Sequence, residues 1–473
     1  MRRLTIILLA VSLGSVPAFS ADWPHWGGGL GRNMVNPNEK DLPTTWDVKS
    51  GENVKWVVRL GSLAYGNPVI AGGRVFVGTN NDGRYDPNVM GDRGNILCFR
   101  ESDGQFLWQA IHDKLVAGRV NDWPRQGICS ALTVEGDRAW YLSNRCEAVC
   151  IDPAGFHDGE NEGMTDEQYE GPKKADIVWS YDMIEELGVF PHNLATSSPL
   201  VMEGLVLLVT GNGVDEGHLN IPMAVAPSFV AFDKATGELI WEFSVRDRIL
   251  HGQWSSPSAG TVNGKTLAFF PGGDGWVYAL EPKTGKEVWR FNCNPPDSEW
   301  ELGGYGTKNN LIATPVFVDG KVFIGVGQDP EHGTGIGHLY CIDASGQGDV
   351  TSTHQVWRRR DDDFGRTMST VAVADGLLYV ADLAGIFYCL DAKTGEAVWT
   401  HDLKSAIWGS PMLVDGKVYM GDENGNINIF AHGREKKIVN IVNMREPLYA
   451  TPVAANGVLY VATKSKLYAL EQQ

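Results

Sequence analysis

Residues 231–241 read AFDKATGELIW, and nearly the same eleven-residue pattern returns at 279–289 as ALEPKTGKEVW and at 389–399 as CLDAKTGEAVW. A looser copy, CFRESDGQFLW, occupies residues 98–108. In all four copies a glycine stands four residues before a tryptophan. A pattern that recurs along a chain indicates a repeated structural unit, and the architecture follows from that unit.

Each repeat predicts four antiparallel strands. Short runs rich in Val, Ile, Tyr and Phe precede the pattern, and Asp-Gly, Gly-Gly or Asn-Gly pairs supply the tight turn between the first two strands. The Thr-Gly pair supplies a turn with positive φ before the outermost strand. The tryptophan offers a neighbouring sheet one large apolar face and one N–H donor. Because one such sheet cannot bury both of its faces, the units are expected to stack around an axis.

The number of units follows from the short approach segments that precede each first strand. Eight of them are marked by Pro68, Ser130, Pro199, Pro257, Pro315, Thr370, Pro411 and Pro452. The last unit ends before its outer strand, whereas NVKWVVRL at residues 53–60 reads as an outer strand without a unit of its own. The sequence therefore predicts an all-β fold, a single eight-bladed β-propeller over residues 54–473. Its blades are four-stranded and antiparallel, and the N-terminal strand closes the last blade.

One tryptophan in each outer strand is expected to be structural. Blade 7 departs from the pattern, because its outer segment REKKIVNIVN at 434–443 contains no tryptophan. The expected structural positions are Trp56, Trp108, Trp179, Trp241, Trp289, Trp357 and Trp399.

The Ala-x-Asp-x-x-Thr-Gly-x-x-x-Trp pattern resembles the tryptophan-docking motif of pyrroloquinoline-quinone-type (PQQ-type) eight-bladed propellers, from about Trp56 to Ala469. That superfamily contains quinone-dependent alcohol dehydrogenases and the propeller lipoprotein of the outer-membrane β-barrel assembly machine. NRCEAVC at 144–150, HGQWSSP at 251–257 and GQDPEHG at 327–333 also look like secreted quinone-like propellers of planctomycete-type bacteria. The resemblance is specific for the fold and not for one activity.

The N-terminus and the charge restrict where the protein acts and on what. MRRLTIILLAVSL followed by small residues predicts a signal peptide over 1–20, cleaved near Ser20, and a lead segment over 21–53. We therefore expect a periplasmic or secreted monomer without a transmembrane segment. A net charge of −18, from 58 acidic and 40 basic residues, argues against nucleic acid as a partner. The partner is expected to be another protein or a small-molecule ligand.

Seven cysteines in an exported chain raise the question of disulfides. Cys98, Cys150, Cys341 and Cys389 occupy one repeat position and are expected to be small, buried, unpaired residues. A hairpin disulfide between Cys129 and Cys146 stays open at this point.

Residues of the approach segments are expected to converge on the axis. Three cations among them are candidates for holding an anion. The candidate ligand-binding residues are Arg125, Gln253, Trp254, Lys308, Asn309, Arg366 and Trp408, with Gln126, Asn193 and Tyr449 beside them. Asp215, His218, Asp329 and His332 lie on loops expected at the same face. The resemblance adds Asn212, in Thr-Gly-Asn, as a possible calcium ligand.

Two functions of different class fit these features. In the dehydrogenases a Trp-Asp pair supplies the base that removes the alcohol proton, whereas here Ser255 follows Trp254 and no two cysteines are adjacent. A serine hydroxyl without an adjacent base accepts no proton near neutral pH. His251 is a candidate substitute, although it stands four positions from Ser255 on an extended segment. The expected function is therefore a non-catalytic binding or scaffold module. The alternative is a PQQ-dependent dehydrogenase of alcohols or sugars that holds PQQ and Ca²⁺.

Overall fold

The computed structural model describes residues 21–302 and 306–472, so the predicted signal peptide lies outside the described residues. The strands form eight sheets around a ring, each an antiparallel meander of four strands, which confirms the predicted eight-bladed propeller. The strand Val54–Arg59 pairs antiparallel with Lys466–Leu470 and completes blade 8 as its outermost strand. The ring therefore closes through the two ends of the propeller, as the sequence predicted.

In blades 1 to 4 the strands follow chain order from the innermost outward. Blade 1 contains Val69–Ala71, Arg74–Asn80, Arg93–Arg100 and Phe106–Asp113. Blade 2 contains Thr133–Glu135, Arg138–Leu142, Glu147–Asp152 and Asp176–Asp182. Blade 3 contains Leu200–Met202, Leu205–Val209, Phe229–Asp233 and Leu239–Phe243. Blade 4 contains Ser258–Val262, Lys265–Pro271, Trp276–Leu280 and Glu287–Asn292, with the short strand Gly348–Asp349 added in parallel.

Blades 5 to 7 repeat this chain order, and blade 8 differs only in its outermost strand, which comes from the N-terminal side of the propeller. Blade 5 contains Val316–Val318, Lys321–Val326, Ile336–Asp343 and Gln355–Gly365. Blade 6 contains Ala372–Ala374, Leu377–Ala381, Ile386–Asp391 and Ala397–Asp402. Blade 7 contains Met412–Val414, Lys417–Gly421, Asn426–Ala431 and Ile438–Asn443, with Val35–Asn36 beside its first strand. Blade 8 contains Val453–Ala455, Val458–Ala462, Lys466–Leu470 and Val54–Arg59.

Helices in the described part are short. The single α-helix, Met183–Leu187, follows blade 2, and its first turn is capped by the Asp182 carboxylate. No helix among the described residues is long and apolar enough to cross a membrane. The 3₁₀ turns are Asn81–Gly83, Gly118–Val120, Gly155–His157 and Pro330–His332.

The tryptophans of the outer strands connect neighbouring blades. Each indole N–H donates to a backbone carbonyl oxygen of the next blade over 2.7–3.2 Å, and each side chain is at most 8% exposed. The donor and acceptor pairs are Trp56 with Glu101, Trp108 with Pro153, Trp179 with Lys234, Trp241 with Pro282, Trp289 with Ala344, Trp357 with Ala392 and Trp399 with Gly433.

The glycine of the repeated pattern is required for two reasons at once. Gly285 has a φ of +66°, a conformation that costs a side chain energy. A Cβ added there would also lie 2.6 Å from the indole of Trp241, which belongs to the preceding blade. Gly237 beneath Trp179 repeats both features at +73° and 2.6 Å. Each repeat therefore carries both sides of the contact between successive blades: its glycine receives the indole of the preceding blade, and its tryptophan packs on the glycine of the next.

Blade 7 replaces its missing tryptophan with residues of the lead segment. Asn440 pairs with Ile429, the register that tryptophan occupies elsewhere, and its amide donates to the carbonyl oxygen of Thr44 over 2.7 Å. Trp46 is 5% exposed within the hydrophobic cluster that blades 7, 8 and 1 share. The lead segment thus contributes directly to the core of the ring.

Residues 23–36 of the lead segment cross the ring and hydrogen-bond to every blade. In all blades except blade 3 the partner is the second residue of the innermost strand. The pairs are Trp23 with Ile70, Pro24 with Val134, Arg32 with Pro199, Leu30 with Ala259, Gly31 with Phe317, Asn33 with Val373, Met34 with Leu413 and Asn36 with Ala454. We call residues 23–36 the axial plug, because they close the ring on the side opposite the approach segments.

All seven cysteines, each within the described residues, are unpaired. Cys98, Cys150, Cys341 and Cys389 are buried, as expected for their shared repeat position. Cys129 and Cys146 form no disulfide: the Cys146 thiol is fully buried and donates to the carbonyl oxygen of Thr210.

Candidate functional site

A cavity of about 490 Å³ lies on the propeller axis, among the approach segments. Every blade contributes to the wall of this cavity the residue that stands four positions before the first residue of its innermost strand. We call these eight residues the axial ring: Tyr65, Cys129, Thr196, Trp254, Ile312, Met368, Trp408 and Tyr449. None of the eight is charged, and all but Thr196 are apolar or aromatic.

A second register, two positions before each innermost strand, forms a belt below the axial ring. Six of its backbone N–H groups donate over 2.7–3.2 Å to a side-chain oxygen of the next blade. This arrangement explains the Ser-Pro and Thr-Pro pairs of the approach segments, since the hydroxyl links one blade to the next. The belt consists of Asn67, Ala131, Ser198, Ser256, Thr314, Thr370, Ser410 and Thr451.

The belt and the axial plug meet at the floor of the cavity. Trp26 of the plug lines the cavity and its indole N–H contacts the Thr314 hydroxyl at 3.4 Å. Arg32 is fully buried and donates to the carbonyl oxygens of Pro199 and Pro257 at 2.7 and 3.1 Å. The axial channel is consequently a funnel with one closed end, a shape suited to holding a ligand.

Three aromatic side chains of the axial ring contact each other on one side of the cavity. The ring centroids of Tyr65 and Tyr449 are 4.8 Å apart and stacked, and both phenol rings lie 5.4–5.9 Å from the Trp408 indole. Burial raises the pKa of both tyrosines, so the phenols stay neutral at physiological pH. This cluster offers flat apolar faces to whatever occupies the cavity.

The charged residues at the cavity are acidic. Asp329 and Glu331, around the 3₁₀ turn of blade 5, line its wall, and burial raises the pKa of Asp329 to about 6. Among the described residues, neither lysine nor arginine lines the cavity. Its electrostatic character therefore favours neutral or cationic ligands over anions.

Of the predicted ligand-binding residues, Trp254 and Trp408 belong to the axial ring. Gln253 and Asn309 are buried, and their side-chain amides hydrogen-bond to backbone groups of the protein. The Gln253 amide donates to the carbonyl oxygen of Asn212 and accepts from the Gly273 N–H, at 2.8 and 3.1 Å. The backbone N–H and carbonyl oxygen of Asn309 pair with the Asn294 side-chain amide at 2.8 Å, and the Asn309 Nδ2 donates to the carbonyl oxygens of Thr307 and Ile336 at 3.1 and 3.2 Å. Both side chains therefore serve the packing of neighbouring segments.

The three predicted cations do not converge on the axial cavity. Arg125 is exposed, and Lys308 lines a separate cavity of about 20 Å³ beside His251. The guanidinium of Arg366 donates to the carbonyl oxygens of His332 and Gly306 at 3.0 and 2.9 Å. Arg366 thereby fixes loops of blade 5.

Asn212, the possible calcium ligand, is fully buried and its amide is used by the backbone. Its Oδ1 accepts from the Phe190 N–H at 2.9 Å, and its Nδ2 donates to the carbonyl oxygen of Met223 at 3.0 Å. Both hydrogen bonds orient the long loop of blade 3.

The residues of the cavity do not fit PQQ. Its carboxylates need cationic partners, and the described lining residues that carry charge are acidic. Ser255, which lines the cavity next to Trp254, donates its hydroxyl to the carbonyl oxygen of Ala313 at 2.8 Å. The aromatic faces of the axial ring meet only the stacking requirement of such a cofactor.

Comparison with known proteins places these features in context. The family model described as outer membrane protein assembly factor BamB matches residues 172–360 and 337–434, more than half of the chain. The outer membrane protein assembly factor BamB of Moranella endobia is 22% identical over 279 residues, which cover 58% of this chain and 61% of that protein. The dehydrogenase subunit of the quinone alcohol dehydrogenase of Gluconacetobacter polyoxogenes is 32% identical over 154 residues, 32% of this chain and 18% of that protein.

Among solved structures, a europium-containing methanol dehydrogenase superposes with a TM-score of 0.63 at 13% identity, covering 95% of this chain and 98% of that one. At this identity the similarity establishes the shared eight-bladed fold alone.

Proposed function

The chain belongs to the PQQ-like propeller family described as outer membrane protein assembly factor BamB, and we propose that it is an exported binding module without quinone chemistry. Its axial cavity takes a small ligand, or a projecting group of a partner protein, that carries a flat apolar part and a positive charge. The observation that carries this proposal is the axial ring, which presents one residue from each of the eight blades, all but Thr196 apolar or aromatic.

The chemistry of the wall supports a cationic ligand. Trp254, Trp408, Tyr65 and Tyr449 supply aromatic faces, which attract ammonium groups through their negative π-surface. The carboxylates at Asp329 and Glu331 line the same cavity and add opposite charge. A cavity of about 490 Å³ is of the size that small-molecule sites commonly have.

The absence of quinone-dependent alcohol oxidation from the proposal rests on the residues beside Trp254, where the resemblance would require a base. The Ser255 hydroxyl is 2% exposed and already donates to a carbonyl oxygen. His251 is 5% exposed, behind the Trp254 indole, and is not among the described residues that line the axial cavity. Export is part of the proposal because of the basic and apolar sequence at residues 1–13.

A matched pair of probes tests the proposal. Benzyltrimethylammonium and benzoate share one aromatic ring and differ in charge, so calorimetric titration of both isolates the electrostatic preference of the cavity. We expect the cation to bind and benzoate not to bind. Trp408→Ala should weaken the cation about 5- to 30-fold, the loss of one desolvated cation–π contact. Trp276→Ala is the control, since this half-buried indole lies outside the cavity.

The same protein is then titrated with PQQ and Ca²⁺ and tested for dye reduction with alcohols and sugars. The proposal expects neither binding nor turnover. Tighter binding of benzoate or PQQ than of the cation, or unchanged cation affinity in Trp408→Ala, would contradict it.

A further inference from the structure

Three histidines from separate segments meet beside the axial cavity. His192 and His251 lie in the approach segments of blades 3 and 4, and His218 lies in the long loop of blade 3. One nitrogen atom from each lies within 4.8 Å of the other two. The Nε2 atoms of His251 and His218 are 3.2 Å apart.

The surroundings of His192 leave one ring nitrogen available. Its Nδ1 lies 2.8 Å from the carbonyl oxygen of Val214, and a carbonyl oxygen only accepts, so Nδ1 carries the proton. The lone pair is therefore on Nε2, which is buried and has no hydrogen-bond partner among the described residues. A backbone carbonyl that fixes the tautomer in this way is the usual support of a metal-binding histidine.

A carboxylate, that of Asp329, lies on the Nδ1 side of His251, as the Val214 carbonyl oxygen does for His192. Nδ1 of His251 is buried without a hydrogen-bond partner in the described part of the chain, and Oδ2 of Asp329 lies 3.9 Å away. A proton on Nδ1 facing Asp329 leaves the lone pair on Nε2, directed at His218.

We propose that His192, His218 and His251 bind one Zn²⁺ ion through their Nε2 atoms. Two nitrogen ligands at about 2.0–2.1 Å from a tetrahedral zinc are about 3.3 Å apart, close to the 3.2 Å between His251 and His218. Three imidazoles favour zinc over calcium, which prefers oxygen ligands. A hydrogen bond between His251 and His218 alone would leave Nε2 of His192 buried without a partner, a costly arrangement.

The fourth coordination position is available on the side of His332. A cavity of about 20 Å³ lined by His218, His251 and His332 has room for one water molecule or ion. The proposed ion lies in the wall between blades 3, 4 and 5, outside the axial ring. This inference goes beyond the proposed function and does not rest on it.

The test uses protein without a polyhistidine tag, stripped with EDTA and dialysed, then titrated with Zn²⁺ and with Co²⁺. We expect one ion per chain, and Co²⁺ should give the visible absorption of a four-coordinate site. His218→Ala is the first variant, since His218 lies half-buried on a loop and its loss spares the core. It should weaken Zn²⁺ binding by more than the roughly 10- to 100-fold that loss of an outer partner costs.

Two further variants complete the test. His192→Gln should weaken Zn²⁺ binding as His218→Ala does, with folding checked by circular dichroism. His401→Ala, which removes a half-buried histidine from the outer strand of blade 6, should bind Zn²⁺ as the unmodified protein does. Unchanged affinity in the folded His218→Ala and His192→Gln variants would overturn the proposal, as would failure of the unmodified protein to bind one Zn²⁺.

Discussion

The contact between the indole of one blade and the turn glycine of the next predicts a coupling free energy that a double-mutant cycle measures. Gly285→Ala forces a side chain onto a residue at φ +66° and into a ring 2.6 Å away. The first effect costs about 1–2 kcal/mol and the second about 1–3 kcal/mol. Trp241→Ala removes a buried indole, at about 3–5 kcal/mol, and leaves the Pro282 carbonyl oxygen without its donor at 2.7 Å.

In the Trp241→Ala background the ring that the added methyl group would meet is absent, so only the cost of positive φ remains. We therefore expect Gly285→Ala to lower the free energy of unfolding by about 2–5 kcal/mol in the unmodified protein. Added to Trp241→Ala, the same substitution should lower it by only about a further 1–2 kcal/mol. Gly320→Ala is the matched control, because its φ is +74° and a Cβ there meets nothing within 4 Å. Urea unfolding followed by circular dichroism gives the four free energies. A Gly285→Ala cost equal to that of Gly320→Ala, or costs that simply add, would refute the reasoning.

Three further predictions concern closure, the plug and pH. Deleting residues 54–60 should expose the edge of blade 8 and cause aggregation, seen by light scattering; an unchanged monomer would show that closure does not need this strand. Asn33→Ala removes both 2.8 Å hydrogen bonds to Val373 and should cost about 2 kcal/mol in urea unfolding, whereas Asn38→Ala, on the exposed surface, should cost almost nothing. Burial raises the pKa of Asp274 from 3.8 to about 7, so its contribution to the free energy of unfolding is complete below pH 4 and is lost as the pH rises through 7. Unfolding across this range should show a smaller loss in Asp274→Asn than in the unmodified protein, because Asp329 and Asp176, whose pKa values burial also raises, still contribute.

The sequence predicts the ring well because the repeat carries its own contacts. Each repeat supplies a turn glycine on which the indole of the preceding blade packs and a tryptophan that packs on the next blade, so the number of blades, their order and their closure follow from pattern alone. The axial ring was predicted only in part. Trp254, Trp408 and Tyr449 were identified as axial candidates, whereas Tyr65 was missed although it occupies the same register before Val69.

What the sequence did not predict depends on contacts between distant segments. Residues 23–36 have no periodicity, and Arg32 finds its carbonyl partners only once blades 3 and 4 are adjacent. The three predicted cations all lie in approach segments, but the direction of each side chain depends on which carbonyl oxygen or solvent it reaches. His192 joins His218 and His251 without any sequence motif, because three separate segments bring them together.

The central claim is that the axial ring holds the ligand, and a crystal structure of the protein grown with benzyltrimethylammonium tests it most directly. The account predicts density for the probe inside the funnel, with its trimethylammonium group against the aromatic faces of Trp408 and Tyr449. Density for the probe only outside the axial ring, for example between outer strands of neighbouring blades, would contradict it.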